Sequence, residues 1–262
     1  MKLGIINNQY AAADFDRIKV KGLEFIEICC NHDPDCERFI AQTDALMDNI
    51  ARTGLPVRSV GRWNSKPLAG GAISEDVRGL MYRFLDAAVK VGAKICVCGV
   101  NYDGSVSLYR NYTLAIKYLR DLYNRAHDCG ITLAVCNCDW NNFIVTPKQW
   151  EVVLGEIDGL TIKYDPSHCY YRGGDYLAEM NGWLGRVSHF HIKGTLNVDG
   201  RRTDDPPAGM DAIRWPEVFA LLYKHGYAGG LSIEPHSNTW RGELGEFGVD
   251  FTVKYVRQFL IE

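Results

Sequence analysis

Eight short apolar runs alternate with longer amphipathic stretches along this chain, and that alternation restricts the fold more than any other feature. The runs are Leu3–Ile6, Phe25–Cys29, Pro56–Val60, Ile95–Val100, Thr132–Asn137, Leu160–Tyr164, Val187–Ile192 and Gly230–Ile233. Between them lie helix-like stretches such as Glu37–Arg52, Ser74–Val91, Tyr109–Cys129 and Trp215–His225. Within Ser74–Val91, Leu80, Phe84, Ala87 and Ala88 recur at helical spacing. Glycines precede several runs, as in Val91-Gly92-Ala93 and Cys129-Gly130-Ile131, where they can end a helix and feed the next strand. Strands that alternate with helices pair in parallel, and eight of them imply closure. The 262 residues suit one (β/α)8 barrel of α/β class, and no linker or low-complexity tract divides residues 1–262. An open doubly wound sheet is disfavoured, because no GxGxxG or phosphate-binding loop follows the first strand.

The bulk properties exclude several function classes. A net charge of -3 gives no electrostatic reason to expect nucleic acid as a partner. No apolar run approaches a membrane span, and Met1-Lys2-Leu3-Gly4-Ile5-Ile6 runs straight into a strand, so neither a membrane partner nor a signal peptide is expected. Nine cysteines are an odd number in a chain too large to need disulfide staples. Cys29-Cys30, Cys96/Cys98 and Cys136/Cys138 fall in apolar strand patterns, where a reduced cysteine packs as a small hydrophobe. A cytoplasmic, reduced protein is the expectation.

Chemistry concentrates at three strand ends in the second half. They read Tyr164-Asp165-Pro166-Ser167-His168, His189-Phe190-His191-Ile192-Lys193 and Ser232-Ile233-Glu234-Pro235-His236. Alternation puts His189 and His191 on one face of their strand, and parallel barrel strands bring their C-terminal ends to one mouth. Asp165, His191 and Glu234 would meet there as an oxygen-rich set with one imidazole, suited to Mn, Co, Mg or Zn. Asp165 has a competing role, because Asp-Pro-Ser also caps a helix. His189 lies one pleat deeper, as a hydrogen-bonded core histidine or a group that backs the ligands. The segment from Gly194 to Arg214, rich in Gly, Pro and Asp, reads as one structureless loop on the same face.

Aromatic faces stack on the C–H faces of sugars, and Trp63, Trp140 and Trp240 follow strands three, five and eight. Together with Arg201 and His236 they are candidate substrate contacts; Arg62, Arg202 and Arg241 could also hold hydroxyls or an anionic group, and Lys193 could back the metal. A phosphate site has no support without a Gly-rich loop at a helix start.

In order and position, Asp165-Pro166-Ser167-His168, His189-Phe190-His191-Ile192-Lys193, Asp204-Asp205-Pro206-Pro207-Ala208-Gly209 and Ile233-Glu234-Pro235-His236 resemble the sugar isomerase/epimerase superfamily of xylose isomerase-like TIM barrels. That superfamily includes ketose 3-epimerases and inosose dehydratases, and the resemblance covers essentially the whole chain. It implies that Asp165, His191 and Glu234 are metal ligands and that His168 touches the substrate. It also implies one divalent ion, manganese favoured over cobalt, magnesium or zinc, and a small-molecule sugar or polyol as partner. Members are often dimers or tetramers, so a homo-oligomer is compatible with it.

Strand five departs from the pattern. The family places a glutamate or histidine where this chain has Cys136, and often a histidine where it has Cys138. Cys136 could be a fourth, thiolate ligand that favours zinc. It could instead be an inert thiol beside a three-ligand site completed by water, Asn137, Asp139 or Asn142, or mark a barrel that has lost its metal. The inert thiol is preferred. The implied activity is isomerisation or epimerisation of a keto-sugar through a metal-stabilised enediolate, with Glu234 or His168 moving the proton. The alternatives are β-elimination from an inosose or oxidised sugar, and a sugar-binding barrel or complex subunit without turnover.

Overall fold

Eight parallel strands close into a barrel in the order β1-β8-β7-β6-β5-β4-β3-β2. They are β1 (Lys2–Ile6), β2 (Phe25–Cys29), β3 (Val57–Arg62), β4 (Ile95–Cys98), β5 (Thr132–Cys136), β6 (Thr161–Tyr164), β7 (Val187–Ile192) and β8 (Gly230–Ile233). The computed structural model describes residues 1–261; Glu262, the last residue of the expected 1–262 unit, lies outside them. Every expected strand is present within a few residues of its sequence limits. Gly92 and Gly130 hold φ of 77° and 71°, the left-handed conformation that ends the helices Glu75–Lys90 and Leu108–Asp128.

Two expectations are corrected. The stretch Glu37–Arg52 is not one helix but two, Asp33–Ala41 and Thr43–Thr53, broken at Gln42. The break lets Cys36 and Phe39 on one helix and Leu46 on the other each reach the core. The segment after β7 is not structureless either. It contains an antiparallel hairpin of Leu196–Val198 with Arg201–Asp204. Its turn is Asp199-Gly200, both at positive φ (51° and 72°), the pair that a tight two-residue hairpin demands. No helix among the described residues is long and apolar enough to cross a membrane.

The apolar side chains divide into two clusters. The larger one includes Phe15, Phe39, Phe84, Trp150 and Trp215 from the surrounding helices, packed on outward-facing strand residues. The smaller cluster joins Trp63, Ile95, Val97, Ala134, Cys136 and Cys138 from β3, β4, β5 and the segments that follow them. The buried polar residues Glu27, Lys163, Asp165, His189, His191 and Lys193 instead come from β2, β6 and β7 and their ends. The mouth therefore lies over a barrel that is apolar on one side and ionic on the other. After β7 the chain passes beneath the Pro206 carbonyl, where a Cβ on Gly194 would stand 1.9 Å from that oxygen. Only glycine permits this approach, which brings the hairpin segment across the mouth.

Candidate metal centre and substrate cavity

β6 ends because Pro166 opens a short helix, Pro166–Tyr171, with Asp165 as its N-cap. Asp165 serves the cap with one oxygen, Oδ1, which accepts from the Ser167 N–H at 2.9 Å. Its other oxygen, Oδ2, is buried and accepts no hydrogen bond among the described residues. The two readings of this residue are thus compatible. The Asn137 side chain fixes the strand end, accepting from Asp165 N at 3.0 Å and donating to Asp165 O at 2.8 Å.

β7 supplies His191 and β8 leads into Glu234, whose N–H donates to the Ile192 carbonyl at 3.0 Å. Donor atoms of Asp165, His191 and Glu234 lie within 4.8 Å of one another, a spacing that one cation can bridge. The imidazole is oriented from behind by Glu27 on β2. Glu27 Oε2 lies 2.9 Å from His191 Nε2 and 2.7 Å from His189 Nε2. A carboxylate only accepts, so both Nε2 atoms carry hydrogen and donate to it. His191 Nδ1 then faces Glu234 Oε2 at 2.7 Å. A bare lone pair against a carboxylate oxygen repels, so that position calls for a proton or a metal ion. Burial opposes charging His191, yet Glu27 and Glu234 hold its pKa above the ordinary value. This backing of an imidazole by a carboxylate is how metal-binding histidines are commonly held.

Two lysines enter the same region. Lys193 Nζ lies 3.2 Å from Asp165 Oδ2, 4.0 Å from Glu234 Oε2 and 3.2 Å from His168 Nε2. Lys163 Nζ is 3.9 Å from Asp165 Oδ2 and 5.3 Å from the centre of the Trp63 ring. Burial alone would favour neutral acids at Asp165 and Glu234, but Lys193 above all holds both carboxyls ionised, helped at Glu234 by His191. Burial, reinforced by the Lys193 ammonium, lowers the His168 pKa well below the ordinary value and leaves that imidazole neutral. The three donors fit a divalent cation: an orphaned carboxylate oxygen, an imidazole nitrogen aimed at a second carboxylate, and open space on the cavity side of Glu234.

That space is a cavity of about 670 Å³ whose lining includes Trp63, Trp140, Lys163, His168, Lys193, Arg202, Glu234 and His236. Asp165 and His191 are fully buried beneath it. Trp63 is a buried wall, packed edge-on to His191 with 6.1 Å between ring centres, whereas Trp140 stands exposed on the rim. Two expected contacts, Arg201 and Trp240, do not line this cavity. Arg201 is exposed on the outer side of the hairpin and its neighbour Arg202 faces the cavity instead, because side chains alternate along a strand. Trp240 lines an adjoining narrow cleft that shares Glu234 and His236 with the cavity, and it stacks on Phe247.

Cys136 stands apart from the metal-sized cluster. Its Sγ is buried against the Cys138 carbonyl (3.8 Å) and Asn142 Nδ2 (3.5 Å), and burial pushes its pKa up, keeping a thiol rather than a thiolate. Asn137 and Asn142 spend their amides on backbone groups, which leaves them poor candidates to complete the site. Sequence reading missed Glu27 and Lys163. Each is a charge inside an apolar strand run, Phe25-Ile26-Glu27-Ile28 and Thr161-Ile162-Lys163-Tyr164, and an unpaired charge there is costly enough to demand a partner.

The hairpin is latched over the mouth by Asp205, which accepts from Tyr171 Oη at 2.5 Å, Arg202 Nε at 3.0 Å and His236 Nδ1 at 2.8 Å. Burial alone would raise its pKa, but these donors, His236 foremost, hold it at about 2 against an ordinary 3.8. A carboxyl depressed on folding stabilises above its unfolded pKa and loses that contribution as pH falls through the folded one. Asp205→Asn is therefore expected to melt below the parent at neutral pH, with the gap narrowing between about pH 4 and about pH 2. Thermal melts of both proteins across that range check this; a gap independent of pH would contradict the latch.

A profile of the xylose isomerase-like TIM barrel family matches residues 15–253. This chain belongs to that family. The E. coli 3-keto-D-glucoside 4-epimerase YcjR is similar in structure, with 19% identity, 98% of this chain and 99% of that chain covered, and a TM-score of 0.77. IolI, solved with a bound zinc atom, superposes at 15% identity over 99% of this chain and 96% of its own, with a TM-score of 0.76. At such identities these likenesses establish the fold. YfiH, an uncharacterized protein of Bacillus subtilis (strain 168), is 23% identical over 160 residues, 52% of this chain and 50% of that protein. This chain thus spans about half the length of that curated relative.

Proposed function

We propose that this family member is a divalent-metal-dependent isomerase or epimerase that moves a proton beside the carbonyl of a keto-sugar or of the keto form of a polyol. The observation that carries the reading is His191 Nδ1, its ring backed by Glu27, facing Glu234 at 2.7 Å beside an Asp165 oxygen that accepts no hydrogen bond, beneath a cavity walled by Trp63. Asp165, His191 and Glu234 would hold the ion, which when bound would polarise adjacent carbonyl and hydroxyl oxygens and acidify the C–H between them. Manganese suits this oxygen-rich set, and a protonated, sequestered Cys136 removes the main reason to favour zinc.

Glu234 is the ligand that reaches the cavity, and as an ionised carboxylate it is the group to take the substrate proton. Glu234, once protonated, would return that proton to the substrate, and neutral His168, whose Nε2 accepts from Lys193 at 3.2 Å, would hydrogen-bond a substrate oxygen. The hairpin held by Asp205 would exclude water from the reacting centre.

Elimination is a second reading, favoured by one observation. The β5 side chains that join the inner apolar cluster are Ala134 and Cys136, so that strand offers no carboxylate to oppose Glu234. A single base suffices for aldose–ketose isomerisation or loss of a β leaving group, whereas a two-base epimerase would need His168 as its second group.

The test is proton NMR in D2O with the manganese-loaded protein and a panel of ketoses and inososes. Isomerase or epimerase action should place deuterium beside the carbonyl and yield an isomer; elimination should release water or an aglycone. No exchange with any panel member would count against both readings.

A further inference from the structure

The two lysines of the cavity are not equivalent. Lys193 Nζ donates to His168 Nε2 at 3.2 Å and lies within ion-pair reach of Asp165 Oδ2 (3.2 Å) and Glu234 Oε2 (4.0 Å). Lys163 is 1% exposed and lines the cavity, and its Nζ makes no hydrogen bond among the described residues. Its nearest carboxylate oxygen, Asp165 Oδ2 at 3.9 Å, lies closer to Lys193. Lys163 also sits at the seam of the barrel, paired in register with Cys136 of the apolar side and His189 of the ionic side. A buried ammonium without a hydrogen bond is costly, and a ligand that supplies the acceptor recovers that cost.

Charge balance points the same way. Asp165 and Glu234 are matched by Lys163 and Lys193, and Glu27 is spent on two imidazoles. Arg202 on the rim is already paired with Asp205. Even with Asp139 on the cavity rim, a divalent cation in the centre would leave the cavity with excess positive charge, which a neutral sugar does not compensate. One ammonium without a hydrogen-bond acceptor suits a carboxylate, whereas a phosphate ordinarily needs a cradle of backbone N–H groups.

Resting on the reading of this cavity as the substrate site, we propose that Lys163 selects keto-sugars that carry a carboxylate, its ammonium donating to that anion. The chain would then act on a keto-sugar acid rather than on a neutral ketose.

Calorimetric titration of the manganese-loaded protein with D-fructuronate and with D-fructose tests this, because the pair differ in a terminal carboxylate. The parent should bind the acid at least about tenfold more tightly, as expected for one charge-assisted hydrogen bond. In Lys163→Met and in Lys163→Gln the preference should fall to within about twofold, chiefly through weaker binding of the acid. Equal affinities in the parent, no binding of the acid, or a preference that survives in both variants would overturn the proposal. Metal content and deuterium exchange, measured on the same samples, report on the proposed function separately. A protein that holds metal and exchanges the proton of a neutral ketose, yet ignores the carboxylate, refutes only the role of Lys163.

Discussion

Glu234→Gln is expected to lower kcat by about 10²- to 10⁴-fold at saturating manganese, the range for removal of a positioned general base. The glutamate follows Leu231-Ser232-Ile233, its backbone is tied to Ile192, and its carboxylate is the one ligand candidate open to the cavity. Glutamine keeps the volume and can still hydrogen-bond to His191 Nδ1, so the barrel should remain folded. It cannot take a proton, and an amide is a weaker ligand than a carboxylate. Saturating metal separates these effects, because weakened binding is restored by mass action and a lost base is not. His168→Asn should cost less, since Glu234 keeps the first proton transfer. A Glu234→Gln protein within tenfold of the parent under saturating metal would remove Glu234 from the chemistry.

Glu27→Gln should weaken metal binding by about 10- to 100-fold although Glu27 touches no cation, the usual cost of losing the group that orients a histidine ligand. Glu27 is fully buried and accepts from both His189 and His191. Burial alone would neutralise it, but these two imidazoles, His189 foremost, hold its pKa well below the ordinary carboxylate value. An amide has no charge to offer, and its oxygen accepts from the two imidazoles less strongly. The tautomer that presents Nδ1 is then no longer enforced. Loss of a buried charge partner also costs about 3 kcal/mol of stability, so melts with and without chelator should both shift downward. Manganese titration of parent and variant reads the affinity, and unchanged binding would show that Glu27 serves packing alone.

The ends of β6, β7 and β8 were legible in the sequence because each couples an apolar strand run to a strong terminator. Pro166, Gly194 and Pro235 stop the strands, so the sequence alone puts Asp165, His191 and Glu234 at one mouth. Glu27 and Lys163 were not legible as site residues, because their roles depend on which barrel face they occupy and on partners well over a hundred residues away for Glu27. The choice between Arg201 and Arg202 turned on one residue of hairpin register, which alternation alone leaves open when both positions are charged. Trp63 directly follows its strand, whereas Trp240 lies seven residues beyond Ile233. The chain turns at Ser237, whose hydroxyl accepts from the backbone N–H of Thr239 and Trp240, and the indole is carried away from the cavity. The break at Gln42 had no glycine or proline to announce it; packing of Phe39 and Leu46 set it.

The metal centre is tested most directly by elemental analysis of the purified protein beside Asp165→Ala and Glu234→Ala. About one equivalent of divalent metal in the parent, lost in both variants, is the predicted result. A parent that retains no metal and takes up none on incubation with manganese would contradict the centre, and with it the assignment of Asp165, His191 and Glu234 as ligands.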